Sequence, residues 1–129
     1  MTYDDLVYNV NDLWKKITLD WDSIAWNEAY QRIKFIMNDR DDIEKIRIYA
    51  SPNLDGYHVY IHFKYWLHWS EVIKLRQKYR DDPKRLINDL FKTNPDEKMI
   101  LFSNKDGKKE IFITEFFPQP EFIWPKIIS

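Results

Sequence analysis

The side chains best suited to chemistry lie in two short segments, residues 43–50 (IEKIRIYA) and 57–63 (YHVYIHF). Both alternate apolar and polar residues with a period of two, the pattern of a half-buried strand whose successive side chains point to opposite faces. Ser51-Pro52-Asn53-Leu54-Asp55-Gly56 between them reads as a turn, so the segments are expected to pair as an antiparallel hairpin. One face then carries Ile46, Ile48, Ala50, Tyr57, Val59, Ile61 and Phe63, a core face. The other carries Lys45, Arg47 and Tyr49 with His58, Tyr60, His62 and Lys64: cations, imidazoles and phenols, with no acid. Cationic side chains neutralise phosphates and tyrosine rings stack on bases, so the expected partner is single-stranded nucleic acid or a nucleotide. An ordinary solvated sheet face, where Tyr and Lys are common, has a similar composition.

The histidines do not make a metal site by themselves. His58 and His62 are four apart, about 13 Å along a strand, whereas ligand bonds to a metal are only about 2 Å. His68 lies beyond the strand. No cofactor is expected. The chain has no cysteine, which removes disulfides, iron–sulfur clusters, thiol nucleophiles and cysteine zinc sites. It has two glycines, too few for phosphate loops or dinucleotide fingerprints to be built readily. No catalytic residue is assigned.

Ser51-Pro52-Asn53-Leu54-Asp55-Gly56-Tyr57-His58-Val59-Tyr60 resembles the serine/glycine-then-histidine strand of the archaeo-eukaryotic primase and primase–polymerase superfamily. The resemblance covers about ten residues, centred on Gly56-Tyr57-His58-Val59-Tyr60, and implies that His58 contacts a nucleotide phosphate. That superfamily also carries an Asp-x-Asp metal motif on an earlier strand and a later acidic residue. Asp39-Arg40-Asp41 has the spacing but falls in a helix-terminating loop, and Asp89 falls on a helix.

The remaining elements must position this face. Tyr3, Leu6, Val10, Leu13 and Ile17 repeat every three or four residues, which predicts a first helix capped by Thr2 with Asp5 behind it. Asp22 is expected to cap a second helix, stapled by Trp21 and Trp26 and buried along Trp26, Tyr30, Ile33 and Met37. A third helix is expected over about 70–80. Asp82-Pro83 starts a fourth as cap and first residue, with Arg85 and Asp89 forming a surface pair. Segments 98–103 and 109–116 read as strands joined at Asp106-Gly107.

The expected fold class is α+β: a four-stranded, mainly antiparallel sheet of two β-hairpins with helices packed on one face. Residues 1–117 make one domain. Residues 118–129, with three prolines among apolar groups, make an extended tail that docks on the domain or on a partner subunit, giving a homodimer.

With 20 basic and 21 acidic groups the net charge is -1, so no global field draws the chain to nucleic acid or membranes, and binding must be local. The acidic start lacks an apolar leader and no window is long enough to span a membrane, so a cytoplasmic, non-membrane protein is expected. Abundant Ile and Lys with scarce Ala and Gly suggest an AT-rich genome, and the aromatic-rich style resembles proteins of crenarchaeal viruses and plasmids. The expectation is a mobile-element protein, in the host cell if viral, that binds nucleic acid or nucleotide through the hairpin face. The alternatives are a structural or host-interaction protein and a divergent nucleotidyl-transfer enzyme.

Overall fold

The computed structural model describes residues 13–101, 104–105 and 107–118. The first element is a strand, β1 (Leu13–Asp22), followed by helix α1 (Trp26–Asp39). Strands β2 (Ile43–Ala50) and β3 (Gly56–His68) come next, then helices α2 (Trp69–Lys78) and α3 (Pro83–Leu90). A 3₁₀ turn (Pro95–Glu97) leads to the short strands β4 (Asn104–Lys105) and β5 (Lys108–Lys109), and finally to β6 (Ile111–Phe116). The class is α+β. The main sheet has four strands in the order β1-β3-β2-β6, and every pairing in it is antiparallel. β1 and β2 therefore run parallel to each other on either side of β3, linked through α1.

The membership of that sheet differs from the expected pair of hairpins. Residues 13–22 are β1, where the 3–4 spacing predicted the end of a helix. Ile17 belongs both to that spacing and to a period-two run, Ile17, Leu19, Trp21, and pairing with β3 decides for the second: all three are buried. The expected helix residues before Leu13 lie outside the described residues. At the other end, β4 and β5 form a separate two-stranded ladder, and β6 pairs with β2 at the sheet edge. The hairpin signal at residues 106–107 is met by the β4–β5 pairing, Lys105 with Lys108, but those strands are two residues each, and residues 98–101 do not form the expected strand.

The hairpin of β2 and β3 has the expected register. Ile48 pairs with Val59 and Ile46 with Ile61, and all four are fully buried. Burying such a side chain stabilises the fold by roughly 1.5–3 kcal/mol. Against this face α1 packs Ala29, Ile33 and Ile36, and α2 packs Val72 and Leu75. Helix α1 starts at Trp26 behind Ala25, so Asp22 is the last residue of β1 rather than a cap, and Trp26 and Tyr30 are partly exposed rather than buried. The fourth helix follows its expectation: the Asp82 side chain accepts the Lys84 N–H, with Pro83 at the first position.

The strands are interrupted at one end. Between Trp14↔Leu67 and Lys16↔His62, Lys15 alone faces the four residues from Phe63 to Trp66, so Lys64, Tyr65 and Trp66 bulge out exposed. At the other end the sheet closes tightly. Gly56 opposes Asp22, and a Cβ there would sit 2.1 Å from the Trp21 carbonyl oxygen, so only glycine fits. No helix among the described residues is long and apolar enough to cross a membrane.

Candidate nucleic-acid interface and acidic cleft

Six of the seven expected site residues meet as cross-strand pairs on the sheet face opposite α1: Lys45 with His62, Arg47 with Tyr60, and Tyr49 with His58. Lys64 does not join them. The bulge after His62 carries it to a groove beside α1, where its backbone N–H donates to the Asp42 carbonyl.

Flanking strands widen the face. β1 adds Lys16 beside His62 and Asp20 beside His58, and β6 adds Glu115 beside Arg47 and Phe112 beside Tyr49. Three rings thus form a row across β3, β2 and β6: Tyr60 to Tyr49 at 5.2 Å between centroids, and Tyr49 to Phe112 at 5.4 Å, both edge-on. Cations border the row. Lys16 Nζ lies 5.7 Å from the Tyr60 ring, and the Arg47 guanidinium lies 4.9 Å from Phe112 and 5.7 Å from Tyr49. Burial, and then Lys45 and Lys16, hold His62 below the usual imidazole range, so it is neutral near pH 7.

The face is not free of acid once the sheet assembles. Glu115 lies 3.5 Å from Lys45 Nζ and 3.7 Å from Arg47 Nε, which itself has no hydrogen-bond partner. Lys16, Lys45 and Arg47 against Glu115 leave this part of the face cationic. Glu110, just before β6, reaches over Tyr49's strand to His58 Nδ1 (2.8 Å) and to the Tyr60 hydroxyl (3.1 Å). Burial, and then Glu110, push the Tyr60 phenol well above its usual range, so it stays a neutral donor.

His58 is buried, with its side chain 6% exposed, and it marks the border between the open face and a cleft. An ionised carboxylate only accepts, so Nδ1 donates to Glu110 and Nε2 points toward Asp20 Oδ1, 3.9 Å away. The cleft, of about 490 Å³, lies among the β1 end, the 51–55 turn, α3 and the residues Ile100, Leu101 and Lys105. Carboxylate oxygens of Asp20, Asp22 and Asp82 come within 4.8 Å of one another there, a donor set suited to a hard divalent cation. Asp20 Oδ1 is buried with no hydrogen-bond partner. Burial first, and then the Asp22 carboxylate, push the Asp20 carboxyl up to about 7.

Beneath the cleft runs a buried ion network. Arg76, wholly buried, donates from Nε to Asp81 (2.7 Å) and from Nη1 to Asp89 (2.8 Å). Arg85 donates to Asp81, to the Thr18 carbonyl at 2.9 Å and to the Thr18 hydroxyl. Asp81 in turn accepts the N–H of Asp20 at 2.9 Å, which ties the network to β1. Burial alone would raise Asp89, but the Met99 N–H, Lys92 and Arg76 together outweigh it and hold its carboxyl low. The expected exposed Arg85–Asp89 pair is therefore replaced: Asp89 is buried and serves Arg76.

Three features escaped sequence reading. Asp20-Trp21-Asp22 carried a visible signal, Asp-x-Asp within a period-two run, masked by the reading of Asp22 as a helix cap and Trp21 as its staple. Glu110 carried none, since it reaches His58 from 52 residues away. Arg76 looked like any charged helix residue. Asp39-Arg40-Asp41 sits at the end of α1 as expected, and Asp39 is engaged by Lys78 and the Tyr79 hydroxyl, each at 2.7 Å.

Comparison of this chain with family models, with curated proteins and with solved structures gives no match.

Proposed function

We propose that this protein binds single-stranded nucleic acid or a nucleotide across the β1-β3-β2-β6 face. The observation that carries the reading is the row Tyr60–Tyr49–Phe112 with Lys16, Lys45 and Arg47 along it. Rings across adjacent strands give bases a stacking surface, and cations at the row's border suit a phosphate backbone. The composition supports a mobile-element origin and action inside a host cell.

Fluorescence anisotropy with a labelled single strand at about 0.15 M salt tests it, since phosphate contacts make affinity fall steeply with salt. Tyr60→Ala should cost roughly 1–3 kcal/mol of binding, one base–aromatic stack. Arg47→Ala should weaken all sequences and reduce the salt slope by about one unit. Lys108→Ala with Lys109→Ala, on the separate β5, is the control. Equal losses at both places would reduce the interaction to diffuse charge, and no affinity would favour a structural or host-interaction protein.

A second reading has its own observation. Asp20-Trp21-Asp22 lies on the strand paired with His58, with Asp20 directly opposite it. The primase-like resemblance implies an Asp-x-Asp motif on a strand earlier in the chain than the histidine strand, a place that Asp20-Trp21-Asp22 would fill. On this reading Asp20, Asp22 and Asp82 would hold a divalent cation, the cation would neutralise phosphate charge, and His58 would contact a phosphate oxygen for nucleotidyl transfer. Mn²⁺ titration by calorimetry separates the readings. Binding that Asp22→Asn abolishes, without loss of single-strand affinity, supports this chemistry; no binding to the unaltered protein removes it.

A further inference from the structure

A groove of about 1230 Å³ runs along the side of α1 that faces the end of β6. Tyr30, Ile33 and Met37, successive on one side of the helix, form one wall, and Phe116, Phe117 and Pro118 form the other. Its apolar groups are incompletely covered: Tyr30 is 39% exposed and Phe117 56%. These partly covered apolar groups leave room for an apolar occupant.

We propose that residues 119–129 of the same chain fill this groove. Pro118, the last described residue before that segment, lines the groove itself, so the segment begins at its lip. The segment then supplies Phe122, Ile123, Trp124, Ile127 and Ile128, apolar groups that match the walls. Its eleven residues reach about 36 Å when extended, more than the roughly 21 Å of the 14-residue α1. Pro120 and Pro125 lack the N–H needed to extend a ladder from the β6 edge, which favours packing through side chains along α1 over strand addition. Its two charges also fit, because Lys34 and Lys64 line the groove for Glu121 and Asp41 lines it for Lys126. Tethering at the lip gives the segment an effective concentration that a second copy at micromolar concentration does not match.

The absence of native cysteine makes disulfide trapping a clean test. Lys34→Cys, at an exposed groove position, is combined in turn with Phe122→Cys, Trp124→Cys and Ile127→Cys. Leu54→Cys, 68% exposed on the turn at the far end of the hairpin, replaces Lys34→Cys as the control. At least one groove pair should close as a monomer about tenfold faster than its control. Equal rates, or disulfide-linked dimers as the sole product, would overturn own-chain docking, the latter in favour of exchange between copies. Deletion of 119–129 is read alongside: a lower melting temperature with a monomeric mass is expected, and an unchanged melting temperature refutes the proposal independently of any cysteine variant.

Discussion

Replacing Arg76 with methionine should destabilise the protein by about 3 kcal/mol, at the lower end of the 3–5 kcal/mol typical when one partner of a buried pair is removed. The variant keeps most of the side chain's apolar stem and loses two charge-assisted hydrogen bonds, to Asp81 at 2.7 Å and to Asp89 at 2.8 Å. Both carboxylates are almost wholly buried, 0% and 3% exposed, so water does not replace the lost donor. Neither is left bare. Asp81 keeps Arg85 and the N–H groups of Asp20 and Asp82, and Asp89 keeps Lys92 and the Met99 N–H. Those remaining partners place the cost at the lower end.

Urea unfolding followed by far-UV circular dichroism would read this as a lower midpoint with an unchanged slope. The melting temperature should fall by roughly 10 °C. A loss below about 1 kcal/mol would mean that Arg76 behaves like an exposed charge and would refute the buried network. Added salt is a further check, because an enclosed pair is screened far less than a surface pair.

Glycine 56 and glycine 107 should respond differently to alanine. Gly56→Ala meets backbone at 2.1 Å and 2.9 Å, which side-chain motion cannot relieve, and should cost roughly 3 kcal/mol; Gly107→Ala meets open space at φ +78° and should cost about 1 kcal/mol. Equal losses in thermal melts would contradict the close β1–β3 approach. Asp20 adds a pH dependence. Its folded carboxyl, pushed up to about 7 from an ordinary 3.8, keeps a proton that the unfolded chain releases, so stability should fall as pH rises from about 4 to about 7 and then level off. Asp20→Asn should flatten that fall in urea midpoints taken across the range, and parallel curves for the two proteins would remove Asp20 as the cause.

Much of the fold was legible because it is local. The alternation through residues 43–50 and 57–63 determined both the pairing of β2 with β3 and its register, since a slip of one residue would turn Val59 and Ile61 to water. Asp82-Pro83 determined where α3 begins, because capping involves only neighbours along the chain. Ile17 satisfied a helical and a strand period at once, closing the stripe of Leu13 and opening the run of Leu19 and Trp21. Only the free edge of β3, waiting for a partner with Ile17, Leu19 and Trp21 on one side, settled that choice.

The site needed tertiary structure for a different reason. Sequence spacing placed Lys45, Arg47, Tyr49, His58, Tyr60 and His62 on one face, but not the residues that tune them. Glu110 against His58, Glu115 against Arg47 and Asp81 against the Asp20 N–H are all contacts between distant parts of the chain. Charge acts through space, so a face read as purely basic along two strands gained its carboxylates when β1, β6 and the Glu110 approach closed around it. Burial likewise belongs to the assembled fold. It made His58 a cleft residue, Lys64 a groove residue and Arg76 the centre of an ion network, and no local pattern encodes which side chains a neighbouring element will cover.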